Sequence, residues 1–410
     1  MEIFFNPAPK WAKQGISILG LLIGIGGLGI GFVVLLLVLI MAVEDDPAAI
    51  TVGLFGSSMT LLMVGTGVAT FWHSVASMEG KLSKPFRLPA IWKFIVLFCI
   101  CVILGWFVFQ GGIAPGIFLP PILLIASLLP PLVVLLLWRV GDTETLTWRR
   151  CLIVFCWGTL LATSAVLVTQ VGWLIITEFF LDSAVVSNLF ASTENESAVG
   201  FFVHMTLVVP IASLLAAPLV TLPWLRRFSQ RDAFLLGSIS GAALAGVSTV
   251  ILISIEPELW LWVLILQTMG CAVLPLGTGL VTLGWQRVVL GGTSTFIHWL
   301  ALFGTASATY ILWNAGLIIV LGAIGLEPVI PMGNLGAITL GLAVVTLVVL
   351  GVIYLWAGKW LADIFSTSSQ DSGMPESFLT FASANQVISV WALACIIALV
   401  PAGLIIVQFL

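Results

Sequence analysis

Three histidines, His73, His204 and His298, are the only ionisable side chains that lie well inside apolar stretches of this chain. An imidazole at such a position can serve as a general base, a proton relay or a metal ligand. A bis-histidine haem needs two rings at one depth, which only His73 and His298 offer, and no cysteine or carboxylate stands at the spacing of a zinc site. The sequence therefore predicts no cofactor and no metal, and for His73 and His204 it favours hydrogen-bonded residues near an interface.

Proton-coupled transport and hydrolysis rely on buried acidic or basic side chains. None is found at mid-membrane depth, and no acidic residue occurs between Ala198 and Arg231. Hydroxyl and amide side chains remain, which leaves open a facilitator for neutral molecules. Its lining would come from Ser240, Thr305, Ser307, Thr309 and Asn314.

The overall composition indicates which elements must hold these residues. Only 8% of the 410 residues are charged, and the mean hydropathy is +1.22, which is typical of a polytopic membrane protein. An apolar stretch of about 20 residues crosses the hydrocarbon as a helix. We predict an all-α transmembrane bundle of about eleven spans, at 15–43, 50–71, 90–110, 117–138, 151–177, 199–225, 232–255, 259–285, 294–325, 334–357 and 388–410.

Lysine and arginine lie in the N-terminal segment and in or beside every second connection between the predicted spans. The other connections hold none and carry acidic residues, among them Asp45, Glu196, Glu258 and Glu327. Because basic residues accumulate in cytoplasmic loops, the N-terminus is predicted to be cytoplasmic and the C-terminus external. The net charge of −4 gives no indication of a nucleic-acid partner.

Small residues recur at four-residue spacing in two predicted spans, which lets helix backbones approach closely in lipid. The first span holds Gly20, Gly24, Gly27 and Gly31, and the seventh holds Gly237, Gly241 and Ala245. We therefore expect the seventh span to be central in the bundle. Prolines in the fourth, sixth and eighth spans predict kinks, at Pro120, Pro121, Pro130, Pro131, Pro210, Pro218, Pro223 and Pro275.

An ordered set of landmarks runs through the middle of the chain: an acidic loop, a Phe-Cys-Trp-Gly helix, a helix beginning Val-Pro, a glycine-rich helix, and then an arginine, a histidine and a glycine. In order these are Asp142 and Glu144, Phe155 to Gly158, Val209 to Leu214, Arg231 to Gly241, Arg287, His298 and Gly304. With these landmarks, residues 130–304 resemble the PrsW family of intramembrane peptidases, which are polytopic bacterial proteins. The resemblance covers roughly 40% of the chain.

The residues that this family uses for chemistry are replaced here. Ser213 and Leu214 stand where its glutamate pair would be, Ser248 and Thr249 stand at its Glu-Asn pair, and only His298 matches the third motif. A hydroxyl of ordinary acidity cannot replace a carboxylate as a base near pH 7. A dyad of Ser213 and His298 is conceivable, but the two residues are predicted at different depths. The resemblance therefore implies a scaffold without peptidase activity.

Three hypotheses about function follow. The first is a catalytically inactive PrsW-like multi-pass protein of a bacterial plasma or inner membrane, which binds or scaffolds other membrane proteins. Its binding site would be the groove that holds the substrate in an active peptidase, near Gly237, Gly241 and Gly304. The second is a transporter or pore for neutral solutes. The third is a structural subunit of a bioenergetic membrane complex, with seventeen tryptophans as interfacial anchors. All three place the chain in a lipid bilayer.

The resemblance also suggests a division of the chain into three parts. Residues 1–129 hold the N-terminal helices, residues 130–325 hold the PrsW-like core, and residues 326–410 hold the C-terminal helices. Within the last part, residues 358–387 include a run rich in serine, threonine and glycine. This composition predicts a flexible cytoplasmic linker before the last helix.

Overall fold

A computed structural model of the chain describes residues 10–44, 46, 48–81, 83–110, 115–138, 140, 145–176, 204–255, 257–290, 295–323 and 337–368. Within these ranges the regular structure is helical, and two connecting segments meet only in an isolated bridge between Pro85 and Thr147. The helices are α1 (Lys10–Val43), α2 (Ala48–Met78), α3 (Ile91–Gln110), α4 (Pro115–Leu137), α5 (Trp148–Ile176), α6 (the joined segments His204–Val208, Val209–Ala216 and Ala217–Arg227), α7 (Gln230–Ile255), α8 (Trp260–Met269), α9 (Val273–Leu290), α10 (Thr295–Ala323) and α11 (Ala337–Ser368).

Nine of the described helices are long and apolar enough to cross a membrane: α1 to α5, α7, α9, α10 and α11. The protein is therefore a multi-pass membrane protein built as an all-α helical bundle. The predicted sixth span corresponds to the irregular helix α6, and the predicted eighth span corresponds to α8 and α9 together. The predicted eleventh span, 388–410, lies outside the described residues.

Helices α1 and α2 pack along the glycines that were expected to mediate close contact. A Cβ atom on Gly20 would lie 2.7 Å from the backbone nitrogen of Phe71, and one on Gly27 would lie 2.8 Å from the Cβ of Met63. Contacts this short are not found between real Cβ atoms, so only glycine allows the two backbones to approach this closely. Most of the large apolar side chains of α1 point outward, as in a helix that contacts lipid.

Helix α7 is the most buried of the nine and packs against α4, α5 and α9. A Cβ on Gly237 would lie 2.6 Å from the carbonyl oxygen of Thr278, and one on Gly241 would lie 2.5 Å from the carbonyl oxygen of Leu274. The glycines therefore bring the backbones of α7 and α9 together. This confirms the expectation that the seventh span is central.

The predicted eighth span, 259–285, is wrong as a single continuous helix. Helix α8 ends at Met269, residues 270–272 form a turn, and α9 begins at Val273. Hydropathy does not reveal this break because the turn is as apolar as the helices around it. Two features favour it: the indole of Trp313 packs directly on Gly270, and Pro275 lies in the first turn of α9, where a helix needs no N–H donor.

Helix α6 changes its winding twice along its length. It begins as a π turn, continues as an α-helix from Val209 to Ala216, and ends as a 3-10 helix from Ala217 to Arg227. Pro210 and Pro218 each stand second in a new segment, where the missing N–H has least effect on the helix. The distortion predicted at these two prolines is thus present as changes of helix type.

Helix α11 corrects the start of the predicted linker at 358–387. The predicted span ended at Ala357, but the helix continues to Ser368, so residues 358–368 are helical. Leu361, Ala362 and Phe365 are buried in this extension, at the spacing of one helix face. Packing of that face on the core extends the helix beyond the point where the polar composition indicates a loop. Residues 369–387 lie outside the described part of the chain.

Three connections that carry basic residues meet at one end of the bundle. The Trp148 N–H, after α4, donates to the carbonyl oxygen of Lys84, after α2, at 3.0 Å. The guanidinium of Arg150 lies 5.5 Å from the ring centre of Phe228, between α6 and α7. We call this the basic end. Its existence agrees with the alternation of basic loops, whereas the side of the membrane that it faces stays a prediction.

Replacement of Gly241 by alanine is expected to destabilise the protein by about 1–3 kcal/mol, because the new methyl would overlap the backbone of α9. Gly304→Ala is the matched control, since no described atom lies within 4 Å of a Cβ built at that helical position. It should change stability by no more than about 1 kcal/mol. Unfolding in detergent by titration with sodium dodecyl sulfate measures both. Equal losses in the two variants would contradict close packing of α7 on α9.

Candidate ligand-binding cavity

A cavity of about 280 Å³ lies between α5, α6, α7, α10 and the turn that joins α8 to α9. Apolar side chains form much of its wall. The side chains in the wall that can form hydrogen bonds are Thr163, Ser213, Ser248, Ser254, Gln267, Tyr310, Trp313 and Asn314.

The cavity lies inside the membrane-spanning part of the bundle. Thr163, Ser248 and Tyr310 stand 15, 18 and 15 positions after the first residues of α5, α7 and α10, which start at the basic end. At 1.5 Å per residue these positions are about 22 to 27 Å from that end. In a hydrocarbon layer roughly 30 Å thick, the cavity is in the half farther from the basic end.

The cavity forms where two neighbouring helices are irregular. Gly270, in the turn between α8 and α9, lines it, and so does Ser213 in the short α segment of α6. Gly270 has no side chain to fill the space, and the Trp313 indole packs against it from α10. Irregular backbone at membrane depth is tolerated where it is enclosed by protein or borders a cavity. This local geometry therefore creates a polar space in an otherwise apolar bundle.

Two buried polar atoms of the cavity wall have no hydrogen-bond partner among the described residues. They are the hydroxyl of Thr163 and the indole nitrogen of Trp313, and each of these residues is only 2% exposed. The hydroxyl of Thr159, one turn earlier on α5, instead donates to the carbonyl oxygen of Phe155 at 2.7 Å. A buried polar group without a partner costs about 1–3 kcal/mol. Both side chains belong to the cavity wall, and each would gain from a hydrogen-bond partner.

The wall of this cavity is electrically neutral. Its described residues include no aspartate, glutamate, lysine, arginine or histidine. The side chains of Tyr310 and Asn314 hydrogen-bond to each other, and the hydroxyl of Ser248 donates to the carbonyl oxygen of Ala245 at 3.1 Å. Hydroxyls and amides do not act as general bases near pH 7. The arrangement is suited to binding an uncharged molecule and lacks the groups needed to activate water.

The structure brings together some of the residues singled out in the sequence. Ser213 and Ser248, which were predicted as degenerate-site candidates from the sequence resemblance, line the same cavity. Thr249 does not line it and donates its hydroxyl to the carbonyl oxygen of Ala245 at 2.7 Å. Of the polar residues proposed for a neutral facilitator, Asn314 lines the cavity, whereas Ser240, Thr305, Ser307 and Thr309 do not.

The histidines do not join this group. His298 is half-buried in the first turn of α10, and Tyr310 follows it by 12 residues, or about 18 Å of helix. His73 is on α2, and its Nδ1 is buried without a hydrogen-bond partner in the described part of the structure. His204 belongs to the π turn of α6. No cluster of three or more metal-binding side chains occurs in the described ranges.

Thr163, Gln267, Tyr310 and Trp313 were missed by the sequence reasoning. For Gln267 a signal was available, because it is an amide in the middle of a predicted span, three residues before Gly270. The other three are not distinguishable by type from structural threonines and aromatic residues. Only their position in the folded bundle identifies them.

Comparison of the chain with models of protein families, with curated proteins and with solved structures finds no match in any of the three. The residues of this chain and the geometry of its cavity therefore carry the functional conclusion.

Proposed function

We propose that this protein binds an uncharged, hydrogen-bonding molecule within the membrane and carries it from one side to the other. The observation that supports this proposal is the neutral cavity with the unpartnered hydroxyl of Thr163 and the unpartnered N–H of Trp313. A site that has polar groups without partners, inside a layer that offers no water, gains most from a ligand that supplies those partners.

The helix breaks next to the cavity favour transport over simple structural packing. Transporters commonly bind their substrates inside the bilayer, next to interrupted helices. Here the interruption at 270–272 borders the cavity, and α6 changes its winding beside it. The cavity wall carries no charge, so coupling to an ion through these residues is not part of the proposal. The carrier would move its substrate down a concentration gradient.

The groups in the wall define what the substrate must offer. The Trp313 indole is a donor only, so the substrate needs an acceptor such as a hydroxyl, ether or carbonyl oxygen. The Thr163 hydroxyl and the amides of Gln267 and Asn314 can both donate and accept. The apolar remainder of the wall suits carbon skeletons. Alcohols, amides and esters meet these conditions, whereas ions do not.

A second candidate function is the inactive PrsW-like scaffold predicted from the sequence. It is favoured by the meeting of Ser213 and Ser248 in one cavity, because these residues occupy the positions of the family's acidic motifs on two different helices. A former active site of this kind would bind a transmembrane segment of another protein without cleaving it. Gly237 and Gly241 would then hold the wall of the groove in place through their contact with α9.

We further infer that the basic end faces the cytoplasm and that the protein is in a plasma membrane. The meeting of the basic connections at one end of the bundle supports the orientation.

Thr163→Val tests the carrier, because it keeps the shape of the side chain and removes the hydroxyl. Two opposite effects are expected: the free energy of unfolding rises by about 1 kcal/mol, since an unpaired buried hydroxyl is removed, and transport falls roughly 2- to 10-fold, since one hydrogen bond to the substrate is lost. Flux is measured in proteoliposomes with uncharged compounds that range from glycerol and urea to a short-chain monoacylglycerol.

The matched control for this experiment is Thr159→Val, one turn away on α5. Its hydroxyl already bonds to the Phe155 carbonyl and is not part of the cavity wall, so this variant should gain no stability and should transport like the wild type. The carrier is contradicted if no compound moves through the wild-type protein, or if both variants change flux by the same factor.

The scaffold hypothesis predicts no cleavage of single-span membrane proteins by the purified protein. It also predicts that such proteins copurify with it and that Ser213→Trp, which fills the cavity, abolishes the association. Cleavage that disappears in Ser213→Ala or His298→Ala would show an active peptidase and would contradict the hypothesis.

The orientation is tested with Lys81→Cys, an exposed position at the basic end. A membrane-impermeant maleimide should label this variant in inverted vesicles and leave it unlabelled in intact cells, with the wild-type protein as the background. Labelling in intact cells would reverse the orientation.

A further inference from the structure

The turn between α8 and α9 separates two different cavities. A second space of about 330 Å³ lies between α3, α4, the same turn and α11, and its wall is almost entirely apolar. We call it the apolar groove. Residues of one short segment line the two spaces by turns: Gln267, Gly270, Val273 and Leu274 line the polar cavity, and Thr268, Met269, Cys271 and Ala272 line the apolar groove. At the turn, the wall between the two spaces is therefore a single stretch of backbone.

The apolar groove is open to the lipid between α3 and α11. Ile95 on α3 and Val352 on α11 line it and are 55% and 60% exposed. Thr268 brings a hydroxyl to the wall, but that hydroxyl donates to the Leu264 carbonyl oxygen at 2.7 Å and needs no further partner. In a bilayer the groove therefore faces hydrocarbon and is suited to a hydrocarbon chain.

The turn that divides the two spaces is held from both sides by close contacts. Trp313 of α10 packs on Gly270, and Gly351 of α11 packs on the Met269 carbonyl. Its backbone hydrogen bonds are irregular: the Gly270 N–H donates to the Leu266 carbonyl oxygen at 3.2 Å, and the Cys271 N–H donates to the Thr268 carbonyl oxygen at 3.4 Å. The turn is therefore the least regular part of the wall between the two spaces.

We propose that the substrate is an uncharged amphiphile of the lipid class, whose hydrogen-bonding head binds in the polar cavity and whose hydrocarbon chain occupies the apolar groove. The proposal rests on the carrier function given above and names its substrate class. The amphiphile reaches the polar cavity sideways from the bilayer, at residues 268–272, instead of from the water on either side. A monoacylglycerol or a long-chain alcohol has the required chemistry.

The walls of the two spaces also define the head of this molecule. Neither space has a charged side chain among its described lining residues, so a phosphate or carboxylate head would be buried without a counter-ion. Hydroxyl and ester oxygens instead supply the acceptor that Trp313 requires and both partners that Thr163 can use. Neutral glycerol esters therefore fit better than phospholipids.

The test uses the full-length protein in lipid nanodiscs and a monoacylglycerol that carries a photoreactive diazirine in its acyl chain. After illumination, mass spectrometry should find the label on residues of the apolar groove, Met269, Cys271 and Val352 among them. An excess of unlabelled monoacylglycerol should compete, and an excess of phosphatidylglycerol should not. Labels spread evenly over the lipid-facing surface would overturn the proposal.

Two variants on α11 make the test specific to the groove. Val352→Trp fills the groove opening and should lower both labelling and monoacylglycerol transport by about tenfold, a factor that corresponds to moderate overpacking. Val349→Trp places the same side chain on the same helix at a lipid-exposed position outside the groove, and it should behave like the wild type.

The outcomes separate this proposal from the carrier function. If glycerol moves through the wild type with a dependence on Thr163, and the monoacylglycerol neither labels the groove nor moves, the lipid substrate is overturned and the carrier stands. Equal labelling of the two tryptophan variants also overturns the lipid substrate. If neither glycerol nor the monoacylglycerol moves or binds, both proposals are overturned.

Discussion

Inside hydrocarbon a polar group must find its hydrogen-bond partner within the protein, and this requirement governs the whole bundle. Many hydroxyls meet it locally: Ser58, Thr66 and Thr70 on α2 each donate to the carbonyl four residues earlier. Such bonds need no neighbouring helix, so they leave the helix faces free to pack. Other hydroxyls and indoles are buried without a partner in the described residues, and two of them, Thr163 and Trp313, belong to the wall of the polar cavity.

The position of the cavity follows from how far the close contact between α7 and α9 extends. Gly241 is opposite Leu274, in the first turn of α9, so the two helices touch up to the point where α9 begins. Helix α7 continues for two more turns to Ser248, which lines the cavity. Beyond the turn at 270–272, α8 also contacts α7, and the cavity lies beside the turn. The break in the predicted eighth span therefore marks where the glycine-mediated contact between α7 and α9 ends.

Much of the bundle could be predicted from hydropathy, because the thickness of the bilayer sets the length of an apolar helix. The close packing at the glycines of α1 and α7 could also be predicted, since small residues at this spacing in a membrane helix mainly allow another helix to approach. The break at Gly270 and the extension of α11 could not be predicted, because both depend on contacts with other helices. The break is packed against an indole from α10, and the extension is held by buried packing at Phe365. The same limit applies to the cavity. Thr159 and Thr163 are one residue type in one helix, and only the folded bundle shows which hydroxyl lacks a partner.

The contact between α1 and α2 bears on how the protein is made. These two helices are consecutive in the chain, and glycines on α1 pack against α2 over several turns. A contact between neighbouring segments has little loop entropy to overcome and forms early. During synthesis, this hairpin can therefore assemble in the bilayer while the ribosome is still translating α7, whose neighbours include the later helix α9. The first two spans would then serve as a preformed wall against which the central helices are inserted.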